Sequence, residues 1–133
     1  MRHIGFTGTQ VGMTPRQKAQ LETILRGKLA GGGKVAFHHG DCIGADAEAA
    51  TLAGVLGCYL VCHPPTNSSK RAFVKSNEVR PAKPYMERNL AIVLEAKVLL
   101  AAPKTTTEEL RSGTWATIRR ARKHKVPVVI LVP

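Results

Sequence analysis

Three short segments of this 133-residue chain pair glycine with hydroxyl or acidic side chains, the composition of turns that cradle phosphate. In Gly5-Phe6-Thr7-Gly8-Thr9-Gln10-Val11-Gly12, glycine lets backbone approach a ligand and the hydroxyls offer donors to phosphate oxygens. Thr7, Gly8, Thr9 and Gln10 are its candidate contacts. In His39-Gly40-Asp41-Cys42-Ile43-Gly44-Ala45-Asp46, Gly40 and Gly44 free the backbone, and amides near Ala45 would open a helix facing an anion. Asp41 and Asp46 either meet that ligand or cap the helix. Ser112-Gly113-Thr114 repeats the logic before another helix, with Ser112 readable as a plain N-cap and Trp115 as a packing residue or a base-stacking one.

Other chemistries fit the spacing poorly. His38, His39, Cys62 and His63 show neither the C-x₂₋₄-C nor the H-x₃₋₅-H spacing of local metal ligands, so neither a metal nor another cofactor is expected. Cys42 lies in a glycine turn near a helix start, where a thiol's pKa falls, but has no evident base partner.

The elements needed to hold these turns follow from periodicity. His3 to Thr7, Lys34 to His38, Cys58 to Cys62, Val98 to Ala102 and Val126 to Val132 read as five apolar strands. Between them lie helical stretches. Thr14-Pro15 opens the first with a cap and a proline, and Leu21, Ile24, Leu25 and Leu29 share one face of it. Ala45 to Leu56, Pro84 to Ala96 and Gly113 to Lys125 supply the others. Two polar loops, His63 to Lys83 and Pro103 to Ser112, have no clear period. Alternation of strand and helix predicts right-handed crossovers and an α/β fold: a Rossmann-like, three-layer α/β/α single domain over residues 1–133, with a mainly parallel sheet of about five strands. Ligands bind at the carboxyl ends of such strands, and every glycine-rich turn named above follows a strand or opens a helix on that edge.

Composition narrows the partners. Twenty Lys+Arg against nine Asp+Glu give a formal charge of +11, which calls for an anionic partner. Lys70 to Arg88 and Arg111 to Lys125 concentrate the basic residues, but aromatics are 5% and do not interleave with them as in a single-strand stacking surface. Phosphate-bearing small molecules are therefore favoured over nucleic acid. No apolar run approaches the roughly 20 residues that cross a bilayer, and Met1-Arg2-His3-Ile4 enters a strand too early for a signal peptide. Three cysteines without a CxxC pair imply a reduced, cytoplasmic setting.

Taken in order, the three turns resemble the SLOG superfamily, which includes DprA-type, LOG (lonely guy) and short YspA-type branches. Gly40 to Ala53 is similar to the DprA-type signature G-x-x-x-G-[IA]-D-x-x-A, and Tyr85-Met86-Glu87-Arg88-Asn89 followed by Leu99 to Pro103 resembles the LOG segment M-x-x-R-K … A-L-P-G-G-x-G-T-x-x-E. The resemblance implies a Rossmann-like sheet that holds a nucleotide or nucleotide-derived ligand. Its phosphate would lie on Gly8 and Thr9, Gly40 and Gly44, and Gly113 and Thr114. Arg88 would lie beside ribose and phosphate, with Asn89 in place of the LOG lysine.

LOG enzymes cleave the base from nucleoside 5′-monophosphates with a glutamate whose position here is Thr117, and Lys104 to Arg111 interrupts their paired glycines. Glu108 or Glu109 in that insertion, or Glu87 beside Arg88, are the available substitutes, so the candidate catalytic residues are Arg88, Glu87 and Glu109. Three functions stay open: a nucleotide-sensing or sequestering module, a phosphoribohydrolase or related N-glycosidase, and a DprA-like nucleic-acid binder. Superfamily members commonly pair, and the Ala-rich face from Ala45 to Ala53 suits a homo-oligomer.

Overall fold

Residues 1–133 are all described in a computed structural model. The apolar strand runs become β1 (Arg2–Gly8), β2 (Val35–His39), β3 (Tyr59–Cys62), β5 (Val98–Ala102) and β6 (Val128–Ile130), with a two-residue β4 (Glu78–Val79) between them. Four helices alternate with these: α1 (Pro15–Ala30), α2 (Ala45–Leu56), α3 (Tyr85–Glu95) and α4 (Gly113–Lys123). The sheet is parallel throughout in the order β4-β3-β2-β1-β5-β6. It therefore has six strands where the apolar pattern predicts about five. β4 is too short and too polar to leave a hydrophobic signature, and it arises inside the segment read as a loop.

Alternation of side chains across each strand builds two cores. Ile4, Phe6, Val35, Phe37, Leu60 and Leu100 meet Leu21 and Leu25 of α1 and Ala45, Ala49 and Ala53 of α2. On the opposite face Leu99 packs with Ile92 and Val93 of α3 and Ala121 of α4, while Ala101 packs with Trp115 and Ile118 of α4. A strand buried on both faces must be apolar on both, which is why β5 reads as an unbroken run. The alanines of α2 bring that helix close: a Cβ on Gly8 would come within 2.5 Å of the Ala45 methyl.

The helix starts follow their local chemistry. Thr14 caps α1 ahead of Pro15, as the cap-then-proline reading expects, and Gln17 adds the reciprocal bond of a capping box. For α2 the N-cap is Gly44 at φ 91°, without a side-chain cap bond, so of the two readings of Asp41 and Asp46 the capping one drops out. A Cβ on Gly44 would run into the Gln10 carbonyl, so close passage of the first loop over this turn requires glycine. The long polar segment after β3 is ordered by Asp41. Its fully buried carboxylate accepts from Arg71 Nε at 2.6 Å and from the Val74 amide at 2.8 Å, and its carbonyl accepts from the Ala72 amide. No helix is long and apolar enough to cross a membrane.

Candidate functional site

β1 sits where the chain order reverses, with β2 on one side and β5 on the other. Crossovers leave this point toward opposite faces of the sheet and open a crevice beyond the strand ends. That crevice has a volume of about 320 Å³. Its floor and walls are the β1–α1 turn (Thr7, Gly8, Thr9, Gln10), the β2–α2 turn (Gly40, Cys42, Asp46), the first turns of α3 (Tyr85, Arg88, Asn89) and the start of α4 (Ser112, Gly113, Thr114). Lys104 and Glu109 reach in from the segment between β5 and α4.

Arg88 dominates the electrostatics. It is the one buried cation of the chain, 4% exposed, and no carboxylate oxygen lies within 4 Å of its guanidinium. Its Nη1 donates to the carbonyls of Gly40 and His63, and its Nε donates to Asn89 Oδ1 at 2.7 Å. Its Nη2 finds only the Cys42 sulfur at 3.6 Å. The guanidinium also lies over the Tyr85 ring, 5.2 Å from its centroid. A buried guanidinium whose direct contacts are all neutral, with Asp46 coupled to it only through space, is costly, and an anion in the crevice would offset that cost.

Asp46 faces the same space from α2. Burial is the largest influence on its carboxyl and raises the pKa from 3.8 to about 6, against the pull of Arg88 and the Cys42 amide. The Cys42 thiol is also pushed up, first by burial and then by Asp46, so it stays protonated and is a poor nucleophile. Gly40 has to be glycine for a local reason: a Cβ there would meet Arg88 Nη1 at 2.6 Å and Asp46 Oδ2 at 2.8 Å.

At the α4 start, Ser112 Oγ accepts from the Trp115 amide at 3.2 Å. Gly113 and Thr114 hold first-turn amides, which have no partner within a helix, and both line the crevice. The Tyr85 hydroxyl is buried without a hydrogen-bond partner.

The crevice thus gathers eleven of the expected binding residues: Thr7, Gly8, Thr9, Gln10, Gly40, Asp46, Arg88, Asn89, Ser112, Gly113 and Thr114, together with Glu109. Asp41, Gly44 and Ala45 lie outside it. Asp41 is spent on Arg71 and Val74, Gly44 carries the close passage of Gln10, and the Ala45 amide donates to the Thr9 carbonyl. Glu87 is exposed on α3, and Glu108 pairs with Arg119 at 2.8 Å. Trp115 is a core residue and does not line the crevice. Thr117 is buried, its hydroxyl donating back to the Gly113 carbonyl. Sequence reasoning missed Tyr85 and Lys104. Tyr85 was legible, since a position three before Arg88 shares its helix face, whereas Lys104 carries no signal in its polar loop.

Behind Arg88, on the α3 side of the sheet, imidazoles line up. His3 Nδ1 lies 2.9 Å from His38 Nε2, and His38 Nδ1 lies 2.9 Å from His63 Nε2. Burial holds both inner rings neutral, lowering His38 to about 4 and His63 to about 3. His39 faces the other way, accepting from the Asp41 amide and bonding Ser76 Oγ.

No family model and no curated protein matches the chain. Solved structures do, at the level of the fold. A molybdenum cofactor binding protein from Rippkaea orientalis superposes with a TM-score of 0.71 at 18% identity, over 97% of this chain and 75% of its own. TM1055, a structural-genomics target, gives 0.66 at 17% identity over 96% and 72%. DNA processing protein A (DprA) from Streptococcus pneumoniae gives 0.70 at 15% identity over 98% of this chain and half of that one. The fold is Rossmann-like.

Proposed function

We propose that the crevice binds a nucleotide or nucleotide-derived ligand and that the chain works as a sensing or sequestering module of the SLOG type. The observation that carries this reading is Arg88, a buried guanidinium with no carboxylate within 4 Å, facing a crevice lined by the α4 amides and the Gly8–Gln10 turn. Phosphate completes its coordination and meets the positive end of α4. In this reading the Tyr85 hydroxyl and the Asn89 amide, which line the crevice, would meet ribose, and Lys104 would close over the phosphate. Native mass spectrometry of the purified protein, then release of small molecules, tests the reading. A copurified nucleotide-type species with its glycosidic bond intact supports it, and a protein that neither copurifies nor takes up such species refutes it.

A second reading, hydrolysis of the N-glycosidic bond of a nucleoside 5′-monophosphate, is favoured by one observation. Asp46, titrating near pH 6 in the same crevice, is tuned for proton transfer. It would replace the LOG glutamate, whose position is the buried Thr117. Release of free base from AMP that vanishes in Asp46→Asn supports this reading, and intact AMP after prolonged incubation rejects it. Nucleic-acid binding rests on the +11 charge and predicts affinity that falls steeply with salt.

A further inference from the structure

Away from the crevice, three metal-type donors from separate elements come together: His38 Nδ1 on β2, His63 Nε2 just beyond β3, and a carboxylate oxygen of Glu95 at the end of α3, all within 4.8 Å of one another. The His38–His63 separation is 2.9 Å, and Glu95 Oε2 lies 3.6 Å from His63 Nε2. Ligands placed tetrahedrally around zinc at about 2.0–2.1 Å stand about 3.3 Å from each other. The two separations bracket that value, and small ring rotations, with the shared proton passing to the outer nitrogen of its own ring, convert a hydrogen-bonded pair into two ligands of one ion.

The surroundings have the form of an outer coordination shell. His38 Nε2, the nitrogen not facing the cluster, lies 2.9 Å from His3 Nδ1, an outer partner of the kind that orients a metal-bound imidazole. Arg80 holds both oxygens of Glu95, Nη2 donating to Oε1 at 2.6 Å and Nε to Oε2 at 3.5 Å, and Oε2 also lies 3.6 Å from His63 Nε2. Arg80 is itself shared with Glu78, so its charge is divided between two carboxylates. His63 and Glu95 also line a cavity of about 190 Å³ together with Arg80, Lys83 and Arg88, which leaves a fourth position open beside cationic side chains.

We propose that His38, His63 and Glu95 form a binding site for a borderline divalent ion of the Zn²⁺ or Co²⁺ class, with the fourth position open to this cavity. The site departs from the sequence reading, which expected no metal. Spacing rules detect ligands close together on the chain, and these come from β2, the end of β3 and the end of α3. The other donor cluster, His39, Asp41 and Cys62, is fully buried and offers no partly exposed ligand at which an ion could enter, as Glu95 does.

The test uses the whole chain, stripped with chelator and free of nucleotide, titrated calorimetrically with Zn²⁺ and spectroscopically with Co²⁺. The expected result is one ion per chain, with the visible bands of four-coordinate Co²⁺, both abolished in Glu95→Gln and His63→Gln. Glu95 is half-buried at a helix end, so its variant keeps the fold (checked by circular dichroism) even where the His63 variant does not. His3→Ala, which touches only the outer shell, lowers affinity about tenfold to a hundredfold. Substituting the exposed His124 changes nothing. Absence of saturable uptake, or uptake that survives Glu95→Gln unchanged, overturns the proposal.

Discussion

Asp46→Asn should make this protein more stable at neutral pH. The wild-type carboxyl titrates near 6 when folded against 3.8 when unfolded, because burial disfavours its charged form. A group whose folded pKa is raised this way binds protons more tightly in the native state, so its contribution to stability falls as pH rises between the two values. Each unit of pKa is worth about 1.4 kcal/mol. Against the neutral side chain, the wild-type penalty is about 1 kcal/mol near pH 4.5 and about 3 kcal/mol near pH 7.5. Asparagine removes the charge and still offers the Cys42 amide an oxygen in place of Asp46 Oδ2. The assay is urea unfolding of both proteins at the two pH values, with the difference in unfolding free energy as the readout. The buried histidines titrate in both proteins and cancel in that difference. A gain that grows by about 2 kcal/mol from the acidic to the neutral condition is expected. Parallel stabilities across pH, or a variant weaker at pH 7.5, would refute the reasoning that Asp46 is a strained carboxyl kept for the crevice.

Other outcomes follow from single contacts. Asp41→Ala leaves the Arg71 guanidinium and the Val74 amide without their buried acceptor, costing about 3–5 kcal/mol and speeding hydrogen exchange across residues 71–77. Ser112→Ala removes the α4 cap and costs about 1 kcal/mol in thermal unfolding, with weaker ligand binding at the amides beside it. Gly44→Ala forces a side chain at φ 91° into the Gln10 carbonyl, and a loss of about 2 kcal/mol or more in chemical unfolding is expected.

Most of the architecture was legible because strand and helix periods differ and each element is long enough to show its own. β1, α1, α2, β5 and the Thr14 cap before Pro15 are cases where local chemistry and the fold agree. β4 was not legible, since two residues in a polar segment have no period and their pairing with Val61 and Cys62 is a tertiary fact. The crevice was legible at the level of turns, because strand-end loops of a parallel sheet share one edge. Individual residues were less so. Asp41 and Asp46 lie in one turn with the same chemistry. Only backbone geometry, with Asp41 at φ 58°, turns the first into a loop anchor and leaves the second in the crevice. The histidine cluster was invisible for a related reason: its members come from three elements, and only the sheet and α3 bring them together.

The most direct test of the central claim is a calorimetric comparison of nucleosides with their 5′-monophosphates, across the common bases, on wild-type protein and Arg88→Met. Methionine keeps most of the buried length and removes the charge. A charge-assisted hydrogen bond is worth about 1.5–3 kcal/mol, so the phosphate should improve wild-type affinity by about tenfold to a hundredfold and lose that advantage in the variant. Nucleoside and nucleotide binding alike, or a phosphate preference that Arg88→Met leaves intact in a folded protein, would contradict the account.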